Sequence, residues 1–216
     1  MSPRGAVGRG RSLAFSRREL RDLGAAWVIL GLAFTILLNL GTVRRLTAGV
    51  PVDYGQLGAS FLLSVATVGV GFLLHELAHK VVAVHFDQVA EFRADYHMLV
   101  FALLGAMVGF LFAAPGAVHH RGRITERQRG LIALAGPVVN GLLAVGFLGL
   151  ATVGSGFLAT VGGLGLLVNL LLAGFNMVPI GPLDGRTVLS WNPVVYVVVA
   201  AATIGPAFVI LFDVGL

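Results

Sequence analysis

Two histidines and a glutamate in the segment 72–80 have the types and spacing that metal-dependent hydrolysis requires. His75 and His79 are four residues apart, so on a helix their imidazoles lie on one face and can bind one metal ion. Glu76 lies beside them, where a carboxylate can take a proton from a metal-activated water. The alternative is an ordinary helix that carries these residues by chance. The apolar run before them disfavours it, because ionisable groups at membrane depth cost about a few kcal/mol each unless they have partners or a function.

The composition is that of a polytopic membrane protein. Of the 216 residues, 57% are hydrophobic and 12% are charged, and the mean hydropathy is +0.92. The net charge of +5 does not indicate nucleic-acid binding, because the arginines flank apolar runs and form no basic surface interleaved with aromatic residues. Anionic lipid headgroups are the expected partners of this charge. The chain contains no cysteine, so disulfides and thiolate ligands are excluded and a metal must use His, Asp or Glu.

The elements that must position these residues are apolar runs, and a helix needs about 20 residues to cross a bilayer. We predict an all-α polytopic membrane protein with about six membrane-embedded helices and a small membrane-associated β element. The runs are 23–40, 57–74, 98–118, 130–183 with a Gly-Ser-Gly break at 154–156 that makes it two spans, and 193–212. A cleaved signal peptide is the alternative for the first run, but no clear cleavage site follows it.

The predicted organisation is a short basic arm followed by one membrane domain. Residues 1–22 are expected to form a basic cytoplasmic arm and the start of an interfacial helix, which Ser16 and Glu19 can begin with a capping box. Residues 23–216 form the membrane domain, with a catalytic core at about 57–189. No internal repeat or long linker divides it.

A third metal ligand is needed, because a catalytic zinc usually has three protein ligands and one position for water. Asp184 is the strongest candidate, since it lies at a helix end broken by Pro and Gly between long apolar stretches. A carboxylate at the membrane surface paired with Arg186 is the alternative. The remaining candidates lie in polar loops or off the ligand face of the helix: Glu91, Asp87, Asp95, His85, His97, His119 and His120.

The segment 98–118 decides whether these groups can meet. Its three glycines and one proline predict a helix followed by a returning strand rather than a simple crossing. If it returns, Asp184 lies on the same side as the two histidines, and only Arg44 and Arg45 of the 15 Lys and Arg lie outside. A simple crossing would place seven of them outside, which is almost no bias. We therefore predict that the N-terminus and the active site face the cytoplasm.

Three blocks resemble the site-2 protease family of intramembrane zinc metalloproteases: His-Glu-Leu-Ala-His at 75–79, Ala-Gly-Pro-Val-Val-Asn at 135–140, and Asn-x-x-Pro at 176–179 followed by Pro-Leu-Asp-Gly at 182–185. The resemblance implies a three-helix core with one Zn²⁺ per chain, bound by His75, His79 and Asp184. It implies that Glu76 is the catalytic acid-base. The implied reaction is hydrolysis of peptide bonds within or near transmembrane segments of membrane-protein substrates.

The resemblance also implies an edge strand to which an unwound substrate is added. Residues 112–118 are similar to that strand, which makes Ala114 and Gly116 candidate substrate-binding residues. Asn176 is expected to hydrogen-bond the substrate backbone, with a helix–helix hydrogen bond as the alternative. Asn140 carries the same expectation, although Gly136 and Pro137 beside it also suit close helix packing.

Two other functions stay open at this point. A metal or proton transporter would also place His and Asp inside a Gly-rich bundle, but it has no need for a glutamate between the histidines. A catalytically inactive scaffold that binds transmembrane helices would typically have lost a ligand or Glu76. The expected partners are membrane-protein substrates and the bilayer of the cell membrane, with no nucleic acid, and no oligomeric state is predicted.

Overall fold

The computed structural model describes residues 13–110 and 115–214, with side chains through residue 209. This part of the chain is mostly helical and contains one small antiparallel sheet. Its elements in chain order are α1 (Arg17–Leu38), α2 (Leu40–Thr47), α3 (Tyr54–Ser64), α4 (Val70–His85), β1 (Val89–Ala94), α5 (Tyr96–Met107), β2 (Gly116–Arg121), α6 (Glu126–Val153), α7 (Phe157–Asn176), α8 (Asp184–Trp191) and α9 (Pro193–Val214). A π-helical turn, Val65–Gly69, joins α3 to α4, so Tyr54–His85 is one continuous helix.

Four helices of the described chain are long and apolar enough to cross a membrane: α1, the continuous helix Tyr54–His85, α6 and α7. They match the apolar runs at 23–40, 57–74 and on both sides of the break at 154–156. The predicted number of about six membrane-embedded helices is not confirmed. The 12 residues of α5 span only about 18 Å of the roughly 30 Å hydrocarbon layer. The side chains of α9 are described only over Pro193–Val209.

The π-helical turn lies immediately before the helix that carries the two histidines. The indole Nε1 of Trp27 in α1 donates a hydrogen bond to the carbonyl of Val65, at 2.9 Å. Gly69 faces the same ring, because a Cβ at Gly69 would lie 1.9 Å from Cδ1 of Trp27. Since α4 begins at the next residue, the contact between Trp27 and this turn constrains how α4 is rotated about its axis.

The break at 154–156 produces a tight helical hairpin of α6 and α7. Gly156 has φ 53°, in the left-handed region that favours glycine. A Cβ on Gly162 would lie 2.3 Å from the backbone nitrogen of Ala151, so the two helix backbones approach closely near the turn. The two predicted spans and the turn between them are therefore confirmed as two helices.

The segment between β1 and β2 leaves the sheet and returns to it. The strands pair antiparallel, with Phe92 opposite Val118, and the Asp95 N–H donates to the carbonyl of Pro115 at 2.9 Å. The two ends of the excursion through α5 therefore lie side by side. The helix and the returning strand that the sequence predicts for 98–118 are confirmed, with the strand beginning at Gly116. Residues 111–114, which include the candidate Ala114, lie outside the described residues.

The first helix begins where the sequence predicts. Ser16 is the N-cap of α1, and its Oγ accepts a hydrogen bond from the N–H of Glu19 at 3.0 Å. The reciprocal half of a capping box is absent, because the Glu19 carboxylate is buried and pairs with Lys80 of α4. Residues 1–12 of the predicted basic arm lie outside the described residues.

Candidate metal centre

The two histidines of α4 point their Nε2 atoms at each other. His75 and His79 are one helical turn apart and are 4% and 7% exposed. Their Nε2 atoms are 3.0 Å apart, and the ring planes meet at 80°. The predicted pairing of these imidazoles on one helix face is therefore confirmed.

Asp184 reaches the same point from the first residue of α8. Its Oδ2 lies 3.4 Å from Nε2 of His75 and 3.3 Å from Nε2 of His79. Gly185 lets α8 approach the end of α7, because a Cβ there would lie 2.2 Å from the carbonyl oxygen of Met177. Within the described chain Asp184 has no ion pair with Arg186, so the alternative of a surface pair between them is not observed.

Each histidine uses its other ring nitrogen to contact α6. Nδ1 of His79 lies 2.7 Å from the carbonyl oxygen of Ile132, which can only accept a hydrogen bond, so Nδ1 carries the proton. Nδ1 of His75 lies 2.6 Å from Oδ1 of Asn140. The Asn140 amide donates to Oδ1 of Asn169 at 2.9 Å, which leaves its oxygen as the acceptor for His75. Both Nε2 atoms are therefore free to act as ligands.

The geometry of the three donors fits a metal ion. Two imidazole nitrogens and a carboxylate oxygen that face one another within 4.8 Å repel unless positive charge lies between them. Zinc bonds of roughly 2.0–2.2 Å at tetrahedral angles place donors about 3.3 Å apart, close to the 3.0–3.4 Å found here. Gly136 of α6 leaves space at this point, because a Cβ there would lie 2.4 Å from Nε2 of His79 and 2.5 Å from Nε2 of His75.

Two titratable groups near the centre lie outside the membrane-length helices. Burial raises the pKa of the Asp184 carboxyl, but the neighbouring imidazoles of His79 and His75 outweigh burial and lower the pKa to about 2. The carboxylate is therefore ionised, as a metal ligand must be. His120 of β2 lines the cavity that contains the two histidines and Asp184. Burial and then the charge of Arg129 lower the pKa of His120, so its imidazole is neutral at pH 7.

Glu76 lies beside the three donors without being one of them. It is 7% exposed and forms part of the wall of a cavity of about 340 Å³ that also contains the two histidines and Asp184. A buried carboxylate in the wall of this cavity is a candidate for general acid-base catalysis.

The cavity joins the donor group to β2 and α7. Gly116 of β2 and Asn176 of α7 line it, as do Ala117 and Val118. The side-chain nitrogen of Asn176 donates to the carbonyl of Leu172 in its own helix, at 2.9 Å. Two of the four residues predicted to bind substrate are thus in the wall of the cavity.

Asn140 is placed differently from Asn176. It is 0% exposed, and its recorded contacts are with His75, Asn169 and the carbonyl of Gly71. Asn140 therefore orients His75 and is not among the residues of the cavity wall. The other candidates for the third ligand lie outside the donor group: Glu91, Asp87, Asp95, His85, His97, His119 and His120.

Sequence reasoning missed three contributors to the centre: the carbonyl of Ile132, the space above Gly136 as part of the metal pocket, and Asn169. Only Asn169 gave a usable signal. It is an amide inside an apolar helix, two turns before Asn176, and it is 0% exposed.

The chain matches two curated proteins over most of their lengths. The putative zinc metalloprotease MJ0611 of Methanocaldococcus jannaschii is 42% identical over 157 residues, which cover 70% of this chain and 82% of that protein. The putative zinc metalloprotease YwhC of Bacillus subtilis strain 168 is 34% identical over 146 residues, which cover 58% of this chain and 67% of that protein. No family model and no solved structure matches. The relatives and the three-donor group together identify zinc as the cofactor.

Proposed function

The chain belongs to the zinc metalloprotease family of these two relatives, and on that premise we propose that it is an intramembrane protease of the site-2 type. It would hydrolyse peptide bonds within or near transmembrane segments of other membrane proteins, with one zinc ion per chain. We assign zinc binding to His75, His79 and Asp184, and the role of catalytic acid-base to Glu76.

The observation that carries this proposal is the position of the donor group in an apolar helix. His75 and His79 belong to Tyr54–His85, one of the helices long and apolar enough to cross a membrane. The cavity beside the group is lined in part by apolar side chains of other membrane-length helices, including Leu30 and Phe34 of α1 and Leu172 of α7. A segment already in the bilayer is the substrate that enters at the lowest desolvation cost, because a polar backbone leaving water loses its hydrogen bonds.

The proposed mechanism divides the work among few residues. When bound, zinc supplies a Lewis acid that activates water and polarises the scissile carbonyl. Glu76 takes the proton released from that water and passes it to the leaving amine. Asn140 and the Ile132 carbonyl hold the imidazoles in the tautomer that leaves both Nε2 atoms free. The ionised Asp184 adds the negative charge of the ligand set.

Substrate binding is proposed to use the free edge of β2. In the described chain the sheet has two strands, so the side of β2 away from β1 has no strand partner. Gly116, Ala117 and Val118 lie in the cavity wall on this strand. An unwound substrate added here satisfies its backbone hydrogen bonds while it passes the metal. We propose that Asn176 contributes a further hydrogen bond to that backbone.

We also propose that the N-terminus and the active site face the cytoplasm of a cell-membrane protein. The return of the chain at Pro115 supports this orientation, since it keeps the basic segment 121–129 on the same side as the end of α4. Of the 15 Lys and Arg, only Arg44 and Arg45 then lie outside. A transporter or an inactive scaffold has less support, because both relatives are named as proteases.

The test is to map the bond that is cut. The purified protein, in vesicles with a model single-span substrate, should produce new termini within or next to the apolar segment, identified by mass spectrometry. Glu76→Gln should abolish these products, because it removes the proton carrier. Glu126→Gln, the matched change of an exposed carboxylate at the start of α6, should leave them unchanged. Cleavage of soluble peptides alone, or full cleavage by Glu76→Gln, would contradict the proposal.

A further inference from the structure

A buried carboxylate outside the metal centre joins three elements of the fold. Glu19 of α1 is 1% exposed and Lys80 of α4 is 2% exposed. Both carboxylate oxygens of Glu19 lie 2.6 Å from Nζ of Lys80. One of them, Oε1, also accepts a hydrogen bond from the N–H of Phe92 in β1, at 3.0 Å.

The two partners of Glu19 lie on two different parts of the proposed site. One part is the metal-binding helix α4, and the other is the sheet whose strand β2 lines the cavity. Lys80 directly follows His79 on α4. Phe92 is paired with Val118 of β2, and Val118 lies in the cavity wall. Since the N–H of Phe92 donates to Glu19, it faces away from β2, and Glu19 covers this point of the outer edge of β1. The free edge of β2 is therefore the edge left for a substrate.

Stability alone does not explain this arrangement. Taking two charges out of water costs several kcal/mol each, and well-packed apolar residues of similar size often serve as well or better. Lys80 also donates to the carbonyl of Ala14 at 2.7 Å and lies 3.9 Å from the centre of the Phe15 ring, so the ammonium also contacts the residues just before α1. What the ion pair adds is geometry, because a carboxylate with three short contacts has one position.

We propose that Glu19 is a positioning residue that fixes the sheet relative to the metal-binding helix and thereby determines which peptide bond reaches the zinc. The inference rests on the proposed function, since it concerns where a substrate on β2 meets His75, His79 and Asp184. Glu19 touches neither the substrate nor the metal. Its effect passes from Lys80 to α4 and from Phe92 through β1 to β2.

The test removes the ion pair without leaving a buried charge. In Glu19→Leu/Lys80→Met both charges are replaced by apolar side chains, and the Phe92 N–H loses its acceptor. In Glu19→Gln/Lys80→Met an acceptor remains for Phe92. We expect KM to rise about tenfold in the first double variant, equivalent to the loss of about one hydrogen bond, and less in the second. We expect kcat to change less than KM and the zinc content to stay at the wild-type value. We also expect cleavage at more than one peptide bond of the substrate.

A second readout does not depend on activity. The chain has no cysteine, so nitroxides can be attached through Leu62→Cys on α3 and His119→Cys on β2, both exposed positions outside the cavity. Leu62 lies about 20 Å along the continuous helix from His75, so the label on α3 is well away from the metal centre. The distance distribution should shift or broaden in Glu19→Leu/Lys80→Met. The control is Tyr96→Phe, which removes the 2.8 Å hydrogen bond from Tyr96 to Asp22 on α1 and should leave the distribution and the cleaved bond unchanged.

The outcomes separate the inference from the proposed function. An unchanged distance distribution in Glu19→Leu/Lys80→Met overturns the inference, and so does a shifted distribution with cleavage at a single unchanged bond. A shifted distance distribution and cleavage at more than one bond in Tyr96→Phe would also overturn the inference, because the loss of any contact of α1 would then have the same effect. If the wild type cuts no transmembrane substrate, the proposed function fails, and the nitroxide distances still decide whether Glu19 positions the sheet.

Discussion

Each histidine of the metal-binding group uses its Nδ1 atom for a hydrogen bond to α6 and leaves its Nε2 atom free for the metal. For His79 the partner is a backbone carbonyl, which cannot be changed by substitution. For His75 it is Asn140, which in turn is held by Asn169. This chain of hydrogen bonds joins α4, α6 and α7, so the orientation of the imidazoles depends on how the three helices pack.

Asn140→Leu should weaken zinc binding. The change removes the acceptor for Nδ1 of His75, so the ring can rotate and take the other tautomer, and we expect about a 10–100-fold loss of zinc affinity. Titration of the metal-free protein against a competing chelator measures it. Asn176→Leu is the matched control, because the Asn176 side chain donates within its own helix, to Leu172. Equal zinc affinity in the two variants would argue against an orienting role for Asn140.

Gly136→Ala should abolish zinc binding, since the added Cβ would lie 2.4–2.5 Å from the Nε2 atoms of His79 and His75. Gly141→Ala on the same helix is the control, because nothing lies within 4 Å of a Cβ there. We expect Gly141→Ala to bind zinc normally and to be as stable as the wild type or slightly more so. The readouts are zinc content and thermal unfolding in detergent. Full zinc occupancy in Gly136→Ala would show that the metal is held elsewhere.

The sequence predicts the metal-binding residues better than the hydrogen bonds that orient them. The His-Glu-x-x-His spacing and an aspartate at a broken helix end indicate the donors, because those residue types are rare inside apolar stretches. Nothing in the sequence distinguishes the Ile132 carbonyl from any other carbonyl, since its role arises only from the packing of α6 on α4. Glu19 and Lys80 were likewise unpredictable as partners, being 61 residues apart.

The helix that carries the histidines is irregular about two turns before His75. The π-helical turn at Val65–Gly69 changes the register of the backbone hydrogen bonds, and Trp27 supplies a donor for one carbonyl of that turn. The rotation of α4 is therefore tied to α1. Such turns carry no sequence signal that periodicity detects, whereas the glycine break between α6 and α7 does, which is why only the latter was predicted.

Trp27→Phe should destabilise the protein by leaving the Val65 carbonyl without its donor. The expected cost is about 0.5–1.5 kcal/mol, the net contribution of a typical hydrogen bond, together with a small loss of packing. Thermal unfolding in detergent measures it, with Gly58→Ala as the control on the same continuous helix, where a Cβ meets nothing within 4 Å. A melting temperature of Trp27→Phe no lower than that of Gly58→Ala would mean that the bond to Val65 does not hold the turn.

The molecule as a whole brings the end of α4, the sheet and the start of α8 to one end of the helical bundle. The return of the chain between β1 and β2 makes this possible, since it places the segment after β2 beside the segment before β1. The sequence predicts the return from glycine and proline content and from the distribution of arginine. The number of about six membrane-embedded helices stays a prediction, since four helices of the described chain are long and apolar enough to cross a membrane.

The orientation can be tested on the cysteine-free background. A membrane-impermeant thiol reagent added to intact cells should label Thr47→Cys, which is exposed at the end of α2, and should not label Arg123→Cys, which is exposed in the loop after β2. The reason is that, in the proposed orientation, the returning segment keeps residues 121–129 on the cytoplasmic side. Permeabilised cells provide the control for accessibility of both positions. External labelling of Arg123→Cys would rule out the proposed orientation.

The assignment of the metal centre is tested most simply by two measurements on the same purified protein, its zinc content and its cleavage of a single-span substrate. Both are made on the wild type, Glu76→Gln and Asp184→Ala. We predict about one zinc per chain in the wild type and in Glu76→Gln, because Glu76 is not a ligand, and markedly less zinc in Asp184→Ala. Cleavage should be lost in both variants. Wild-type zinc content in Asp184→Ala, or loss of zinc in Glu76→Gln, would contradict the assignment of the metal centre.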